Sequence, residues 1–569
     1  MAMYLSLRGC LRATLFFVAL LSQQGAFAQP APIFDVLEFQ IQGNTVLSVE
    51  AIELAVTPFL GEGKQMAAVE AARLALEKAY QGAGFLTVFV DVPEQRVDGG
   101  VVILNVTEGR IARLKVSGSR YFSQGYIREK VAELTDGKVP NFNEVQRQLA
   151  LVNRTEERRV QPIMRAGVTP GTVETELKVE DKLPLFGTFE VNNRSAADTS
   201  LLRLSATARY ENMFQLDHSL AVSFSTAPQN TAQSQVLSIN YTIPSTDQGA
   251  WVGYLVNSNS KVAALGDVNV LGKGQTLGLR YVRPVASAAT DETHSISLGV
   301  DYKNLKEDTS SPGNVISTPL RYLPFQFGYN GSFEHGARRN TLVSLQMAAA
   351  FRPILRRDVD CPGGTADQFA CKRQGGDGGF ATLRTDVRQS VPLGTSTGTS
   401  TGTGLSGSLN LRLGGQLATG AVPNGEQYTI GGAETVRGYR EAEGAGDRGV
   451  LASVEWRSAD LGVRFARWTS ADAVSSSVAS TSGSTNTSAG NAWISQSFVL
   501  AFIDVARTYV FEPATGQAPH ISLAGAGVGL RLKVRKSVSG ELDLAWPLKA
   551  SLATPERGVR AHVRVVADF

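Results

Sequence analysis

The stretch V-L-A-S-V-E-W-R, residues 450–457, decides the fold class. Because successive side chains of a strand point to opposite faces, Val450, Val454 and Trp456 share one face, whereas Glu455 and Arg457 share the other. The same alternation recurs in about sixteen segments from residue 186 to the C-terminus, as in a barrel with lipid outside and water inside. The sequence therefore predicts an all-β transmembrane barrel of about 16 antiparallel strands over residues 186–569.

The composition agrees with a barrel and argues against two other classes of protein. The chain of 569 residues has a net charge of only +3, so no nucleic-acid partner is expected. No segment beyond the N-terminal region approaches the roughly eighteen consecutive apolar residues of a membrane-spanning helix, which argues against a helical membrane protein. A barrel hides its apolar residues in the alternation, so its average composition stays unremarkable.

The N-terminus has the three parts of an export signal. Arg8 and Arg12 give it a basic start, residues 13–21 form an apolar run too short to span a bilayer, and A-F-A at 26–28 is a small-x-small cleavage site. A short buried helix is the alternative interpretation. We expect residues 1–28 to be a signal peptide that is removed on export.

Two cysteines, Cys361 and Cys371, remain after the signal peptide is removed. In an exported protein, their closeness in a polar, glycine-rich segment favours a disulfide that closes a local loop over a metal pair without further ligands. The five histidines do not cluster, so no metal site is expected. No nucleotide-binding loop or nucleophile elbow occurs, and we expect no cofactor, no catalytic residue and no enzymatic activity.

The segment before the barrel contains one structural unit written twice. Residues 33–108 and residues 109–182 each predict a strand, two helices and two further strands, with a glycine turn after the first strand at Gly43 and Gly118. About seventy residues suffice for a small α+β domain whose helices cover one face of a three-stranded sheet. The sequence therefore predicts two α+β domains before the barrel.

Short motifs in both copies resemble the POTRA domains of the haemolysin secretion/activation proteins. The first copy contains G-N-T at 43–45 and V-T-E-G at 106–109, and the second contains L-A-L-V-N-R at 149–154 and G-V-T-P-G-T-V-E-T-E-L-K-V-E-D-K-L-P-L from residue 167. The chain thus looks like a TpsB-type transporter of two-partner secretion, a family of the ShlB, FhaC and HecB kind. On this resemblance, the two copies are POTRA 1 and POTRA 2.

The resemblance implies a transport function. POTRA domains in the periplasm would capture a large, unfolded secreted partner of the TpsA type, partly by strand addition at a sheet edge, and the barrel would pass it outward. A haemolysin, an adhesin and a contact-dependent toxin are equally compatible partners. The protein would lie in the lipid of the outer membrane of a Gram-negative bacterium and depend on the barrel assembly machinery. The alternatives are an outer-membrane assembly or insertase factor, which usually has more POTRA domains, and a passive porin.

The motif V-R-G-Y at 436–439 lies in a long glycine-rich loop, predicted over residues 418–448. On the residues alone, a surface loop with a solvated arginine is the plainer interpretation. The family resemblance implies instead that this loop folds into the lumen and pairs its arginine with an aspartate of the wall. The residues of this lumen lock would be Arg437, Gly438, Tyr439 and Asp504.

Asp504 lies in F-I-D-V-A at 502–506, which resembles the F-x-D-x-G motif of the family except that Ala506 replaces the glycine. A carboxylate among apolar neighbours needs a partner, because an unpaired buried charge costs several kcal/mol. The alternative is an ordinary hydrated residue of a polar lumen.

Gly525, Gly527 and Gly529 recur at a period of two inside a strand. No helix follows them, which argues against a nucleotide-binding turn. Three glycines on one face form a smooth groove, and we expect the inward-folded loop to pass there.

Phe569 ends a last alternating strand, and a terminal aromatic residue on the lipid face resembles the C-terminal signal of outer-membrane barrels. Because a barrel must close, this strand is expected to pair with the first. Counting strands from the periplasm places both the two-cysteine loop and the V-R-G-Y loop on the outside. The same count places the Ser/Thr-rich tracts 393–404 and 474–490 in periplasmic turns.

Overall fold

A computed structural model describes residues 33–569 with internal gaps. The gaps are residues 198, 246, 266–267, 288, 290, 312–313, 337–338, 362–363, 394–406, 462–493, 515, 536, 552 and 557, and side chains are not described within 261–272 and 307–318. The predicted signal peptide and, apart from Leu393, the two Ser/Thr-rich tracts lie outside the described residues. No helix of the described part is long and apolar enough to cross a membrane.

The chain divides into two compact units, Met1–Lys182 and Leu183–Phe569, and the first contains two small α+β domains. The elements of the first domain are β1 (Phe34–Val36), β2 (Glu38–Gln42), α1 (Val49–Val56), β3 (Gly61–Lys64), α2 (Met66–Gly82), β4 (Val88–Asp91) and β5 (Val101–Glu108). Those of the second are β6 (Arg110–Ser117), α3 (Gln124–Lys130), α4 (Phe142–Val152), β7 (Arg158–Ala166) and β8 (Thr172–Asp181). Their three-stranded sheets have the orders β2-β5-β4 and β6-β8-β7, and β1 pairs separately with β3.

Each small domain has its own apolar core. In the first, α2 presents Val69, Leu76 and Tyr80 at helical spacing to the sheet, where Leu104 is fully buried. In the second, α3, α4 and the sheet bury a separate cluster in the same way. The helices therefore cover one face of each sheet, and the β-α-α-β-β order predicted for both copies corresponds to two independent cores.

The two domains share a turn that only glycine fits. Gly43 follows the first strand of the first sheet with φ +90°, and Gly118 follows the first strand of the second sheet with φ +83°. A Cβ atom would overlap the carbonyl oxygen of Val106 at Gly43 and that of Val179 at Gly118. The repeat seen in the sequence therefore extends to the backbone.

Arg110 of the second small domain contacts the first, because its Nη2 donates to the Thr45 hydroxyl at 2.9 Å. The Glu108 carboxylate accepts hydrogen bonds from the backbone N–H groups of Thr45 (2.6 Å) and Val46 (3.1 Å) and pairs with Arg110 at 3.1 Å. At a second point, the N–H of Phe142 donates to the carbonyl of Gly84 at 2.8 Å. The connection is thus fixed by hydrogen bonds and has no free linker.

The second unit is a closed antiparallel barrel, which confirms the predicted fold class. The wall strands are β9 (Leu185–Asn192), β10 (Arg203–Met213), β11 (His218–Thr226), β12 (Gln235–Pro244), β13 (Ala250–Leu265), β14 (Val268–Val285), β15 (Glu292–Ser311), β17 (Phe325–His335), β18 (Arg339–Ala350), β21 (Phe380–Leu393), β22 (Gly407–Ala418), β25 (Arg448–Ser458), β26 (Ile494–Tyr509), β27 (His520–Val534), β28 (Val538–Pro547) and β29 (Arg560–Asp568). The shorter elements of its loops are β16 (Asn314–Tyr322), β19 (Asp358–Cys361), β20 (Gly364–Asp367), α5 (Gln368–Lys372), β23 (Tyr428–Ile430) and β24 (Gly444–Gly446).

The alternation that predicted the barrel sorts the side chains between its two faces. Val450, Val454 and Ile503 are exposed on the outer face, whereas Glu455 and Asp504 lie inside. Apolar side chains therefore face the hydrocarbon and charged ones face the lumen.

One wall strand lies a few residues later than predicted. The sequence placed a strand near residue 320, but the strand found there, β16, pairs only with the C-terminal half of β15, from Lys303 onward. The wall is continued by β17, which pairs with the N-terminal half of β15, residues 292–300. The two strands are separated at Leu323 and Pro324, where proline has no N–H to continue the ladder. The alternation alone did not reveal this break.

The barrel closes between its last and first strands. β29 pairs with β9 from Arg564↔Asn192 to Asp568↔Thr188. The N–H of Phe569 donates to the carbonyl of Gly187 at 2.9 Å, and the N–H of Gly187 donates back at 2.8 Å. The ring of Phe569 remains exposed outside and covers Gly187, where a Cβ atom would overlap it. No edge is left unpaired at this seam.

We predict that Gly43→Ala destabilises a fragment of residues 33–182. The substitution places a Cβ against the Val106 carbonyl at φ +90°, and the combined strain and overlap should lower the free energy of unfolding by about 1–3 kcal/mol. Urea denaturation followed by circular dichroism measures the change. Gly82→Ala is the matched control, because nothing lies within 4 Å of its Cβ position at the end of α2. Equal effects of both substitutions would contradict the turn argument.

Candidate functional site

The loop between β22 and β25 carries the V-R-G-Y motif and lies against the inner wall of the barrel. The bounding strands end at Ala418 and begin at Arg448, which matches the predicted range. Within the loop, β23 and β24 pair as Tyr428↔Gly446 to Ile430↔Gly444, so they form a short hairpin stem. Residues 431–443 form the tip beyond this stem, and the arginine of the motif lies in that tip.

Arg437 and Asp504 are paired inside the barrel. The Arg437 Nε donates to Asp504 Oδ2 at 2.8 Å, its Nη2 donates to Oδ1 at 2.9 Å, and its backbone N–H donates to Oδ2 at 3.1 Å. Asp504 is fully buried and Arg437 is 7% exposed. A bidentate contact between a guanidinium and a carboxylate is among the strongest side-chain pairings, and here it attaches the loop tip to β26.

Three further wall residues surround this pair. Glu455 accepts a hydrogen bond from Arg437 Nη1 at 2.8 Å, and Ser453 donates to Asp504 Oδ1 at 2.6 Å. The guanidinium carbon of Arg437 lies 3.4 Å from the centroid of the Phe502 ring. The planar cation is thus bound by carboxylates at its edge and by an aromatic ring on its face.

The next two residues of the motif fix the path of the loop. Gly438 has φ +100°, and its N–H donates to His562 Nε2 at 3.0 Å. The Tyr439 hydroxyl lies between two backbone carbonyls, 2.8 Å from that of Ala524 and 2.6 Å from that of Lys549. Tyr439 is fully buried. The loop is therefore attached to β26, β27, β29 and the segment that follows β28.

Sequence reasoning missed four residues of the site: Ser453, Glu455, Phe502 and His562. A signal was available for the first two, because they lie on the charged face of the stretch that predicted the barrel. Strand register then brings Ser453 opposite Asp504, and Asp504 opposite Gly525. No sequence signal could have identified His562, because its contact depends on how far the loop crosses the lumen.

The groove predicted at the three glycines is only partly occupied by the loop. A Cβ at Gly525 would overlap the carbonyl oxygen of Arg437, so the loop passes there. At Gly527 and Gly529 the nearest atoms belong to wall residues, among them Phe502 and Leu500. The prediction of three loop-facing glycines was therefore wrong for two of them, because their missing side chains make room for large inward side chains of β26.

Ala506 does not prevent the loop from approaching the wall. It packs in an apolar cluster with Ile430, Val436, Tyr439 and Leu451. The methyl group therefore contributes to the contact between the loop and β26 at the position where the family motif has glycine.

A second loop is attached to the base of the first. The structure joins Cys361 and Cys371 by a disulfide in the segment between β18 and β21. Arg373, two residues after Cys371, pairs with the fully buried Asp447 at the end of the V-R-G-Y loop. Asp447 also accepts hydrogen bonds from the backbone N–H groups of Val422 (3.0 Å) and Phe511 (2.7 Å). The two-cysteine loop therefore holds the stem of the lumen loop.

Beside the lock lies a cavity of about 540 Å³ inside the barrel. Arg437, Glu455, Asp504 and Asp543 contribute to its lining, together with other charged side chains of the wall. Arg531 pairs with Asp543 at 2.6 Å. The cavity is thus a polar space that reaches the paired charges directly.

Comparison with known proteins identifies the two parts of the chain. A model described as POTRA domain, ShlB-type, matches residues 34–109, and the Omp85 superfamily domain matches residues 212–558, more than half of the chain. The chain belongs to the Omp85 superfamily. It is 22% identical over 446 residues to the outer membrane transporter CdiB of Dickeya dadantii (strain 3937), a match that covers 76% of this chain and 73% of the relative. Over 181 residues it is 23% identical to the outer membrane transporter CdiB of Escherichia coli O6:K15:H31 (strain 536 / UPEC), covering 32% of this chain and 30% of that one.

Solved structures share the fold at low identity. CdiB from Escherichia coli matches with a TM-score of 0.54 and 16% identity, over 97% of this chain and 93% of that one. BamA from Haemophilus ducreyi lacking POTRA domains 1-3 matches with a TM-score of 0.52 and 14% identity, over 94% and 100%. Omp85 membership places the barrel in the outer membrane and the POTRA part in the periplasm.

We predict that Arg437→Ala raises the conductance of the purified protein in planar bilayers. The substitution removes the bidentate pair and leaves Asp504 without a cationic partner, a loss of about 3–5 kcal/mol for a buried pair before lumen water offsets part of it. Arg437→Lys should give an intermediate conductance, because lysine keeps the positive charge but lacks the two parallel N–H donors of the guanidinium. Arg388→Ala is the control, since it removes another lumen arginine whose carboxylate partner, Asp386, keeps Arg412. Equal conductance of all variants would contradict the lock.

We also predict that Cys361 and Cys371 are linked in protein isolated from the membrane without reductant. Peptide mapping should recover the two cysteine peptides joined, and alkylation should label them only after reduction. Replacing both by serine should speed cleavage between β18 and β21 by a protease added to intact cells, because α5 loses its covalent tie. Free thiols in the isolated protein would contradict this pairing.

Proposed function

We propose that this protein exports a large partner polypeptide through its barrel by two-partner secretion. The observation that best supports the proposal is the way the lumen is obstructed. A loop attached by Arg437, Gly438 and Tyr439 occupies space beside the wall, and a polar cavity lies next to it. The hydrogen bonds that Arg437 and Gly438 make to the wall can be exchanged for contacts to another chain.

The periplasmic domains would select the partner. Residues 33–108 and 109–182 are proposed to act as POTRA 1 and POTRA 2, after a signal peptide of residues 1–28 is removed. Their sheets end in edge strands that suit the addition of an extended segment. In the second sheet, the backbone of residues 137–138 already bonds to Ile111 of β6, so β7 is the more open edge.

The partner is proposed to be a large secreted protein of the TpsA type. The relatives described as outer membrane transporters support a transport function in general. A haemolysin, an adhesin or a contact-dependent toxin would each be a compatible partner. Neither a cofactor nor enzymatic activity forms part of this proposal. Folding of the partner outside the cell would bias its passage, because a process that consumes the exported chain pulls the equilibrium outward.

Insertion of other barrels is the second candidate, because a POTRA part followed by an Omp85 barrel would suit an assembly factor as well. The two candidates differ in what disappears when the protein is absent. Deleting the gene should remove one or two large proteins from the culture supernatant and the shaved cell surface if the protein is a dedicated transporter. A general fall of barrel proteins in the outer membrane would instead identify an insertase. No change in any of the three fractions would favour a passive pore. Mass spectrometry of the three fractions measures these outcomes.

Arg437→Ala and Asp504→Ala should each reduce export of the partner while the protein remains in the membrane. Both substitutions break the same pair, so their combination should cost no more than either alone, as expected for residues that act as one unit. Secreted partner is quantified against outer-membrane levels of the variant. Arg388→Ala should export normally. Export equal to wild type by either single variant, at equal membrane level, would refute a role of the lock.

A further inference from the structure

The wall residues around Arg437 form a receptor for one planar cation. Asp504 contacts its Nε and Nη2, Glu455 contacts its Nη1, and the ring of Phe502 lies flat beneath it. We call Asp504, Glu455 and Phe502 the guanidinium seat. Asp504 and Phe502 are at most 3% exposed, and neighbouring strands position all three, so the site belongs to the wall and not to the loop.

Departure of the loop would leave one charge of this seat unmatched. Glu455 would still pair with Arg457, which lies at 3.3 Å. Asp543, 3.9 Å from Arg437, would still pair with Arg531 at 2.6 Å. Among the described residues, Asp504 has no other cationic partner within 4 Å, and only the hydroxyl of Ser453 still donates to it. A carboxylate in this position favours any cation that can replace the one withdrawn.

The chemistry of the seat selects arginine over lysine. Two parallel hydrogen bonds to one carboxylate and a third to another require several N–H donors in a fixed plane. Contact with the face of Phe502 also requires a flat cation of low hydration cost. The ammonium of lysine carries the required charge, but it is not planar and cannot donate two parallel hydrogen bonds to one carboxylate.

The seat is also reachable from the lumen. Asp504, Glu455 and Arg437 all line the cavity of about 540 Å³, which is large enough for a guanidinium group and the stem that carries it. A polypeptide in this lumen would therefore pass within reach of the seat.

We propose that Arg437 occupies the seat as an internal ligand, and that arginine side chains of the exported polypeptide bind there when the loop withdraws. The proposal rests on the export function proposed above. It assigns the wall a binding site for arginine-bearing peptide segments, which would stabilise the open arrangement each time an arginine passes.

The test uses full-length Arg437→Ala protein in planar bilayers with two matched probes. N-acetyl-glycyl-arginyl-glycinamide should block its current, whereas the neutral citrulline analogue of the same shape should not. Wild-type protein, whose seat is filled, should need at least about tenfold more arginine peptide for the same block. Adding Asp504→Asn to Arg437→Ala should weaken the block by at least about tenfold. The lysine peptide should block less than the arginine peptide.

Glu541→Gln in the Arg437→Ala background is the control for lumen charge. Glu541 pairs with Arg564 on the wall and does not touch Arg437, so its loss changes the potential but not the seat. Equal block by the arginine and citrulline peptides, or equal weakening by Asp504→Asn and Glu541→Gln, would overturn the proposal. If Arg437→Ala does not insert, Arg437→Gln, which is neutral and leaves Asp504 without a cation, serves for the same comparisons.

These outcomes are independent of partner export. A normal block in a protein whose deletion leaves the secreted proteins unchanged would retain the seat and reject the export function. Normal export without a specific block would reject the seat alone.

Discussion

A strand in a bilayer has to pair both of its edges, because hydrocarbon offers no hydrogen bonds to an open N–H or C=O group. The barrel meets this constraint by pairing β29 with β9 and by bonding Phe569 to Gly187 beyond the regular ladder. Closure then divides the side chains of every strand between lipid and lumen. The inner face is consequently rich in charged groups, and a loop that enters the lumen finds polar partners there.

The polar lumen explains why one arginine can contribute much of the attachment of a long loop. Removing one member of a buried ion pair costs about 3–5 kcal/mol because the other charge stays behind, whereas an exposed pair contributes about 0–1 kcal/mol. The lock lies between these limits: Asp504 is fully buried, but the adjoining cavity gives the seat access to the lumen. An intermediate value would suit the withdrawal of the loop that is proposed above.

Much of the fold follows from the sequence because its signals are periodic. A period of two identified the wall strands, and the repeated glycine turn identified the two small domains. The break at Leu323 and Pro324 was missed because the sequence of β16 also alternates. In the structure, β16 pairs only with the C-terminal half of β15, and β17 pairs with the N-terminal half. Local pattern records which face a residue occupies. It does not record how far a strand extends past the wall.

The site shows the same division between local and tertiary information. Family resemblance supplied Arg437 and Asp504, and the alternation would have supplied Glu455, since all wall residues two apart share a face. Gly527 and Gly529 were assigned to the loop because three glycines suggest one groove. In the structure, the inward rings and chains of β26 already use two of the three positions. Glycines at a period of two in a strand therefore indicate that another group approaches the strand closely. The register between neighbouring strands decides which group that is. Here that register places Gly527 opposite Phe502 and gives its ring the space to lie beneath Arg437, so Gly527 supports the lock indirectly, through the wall itself.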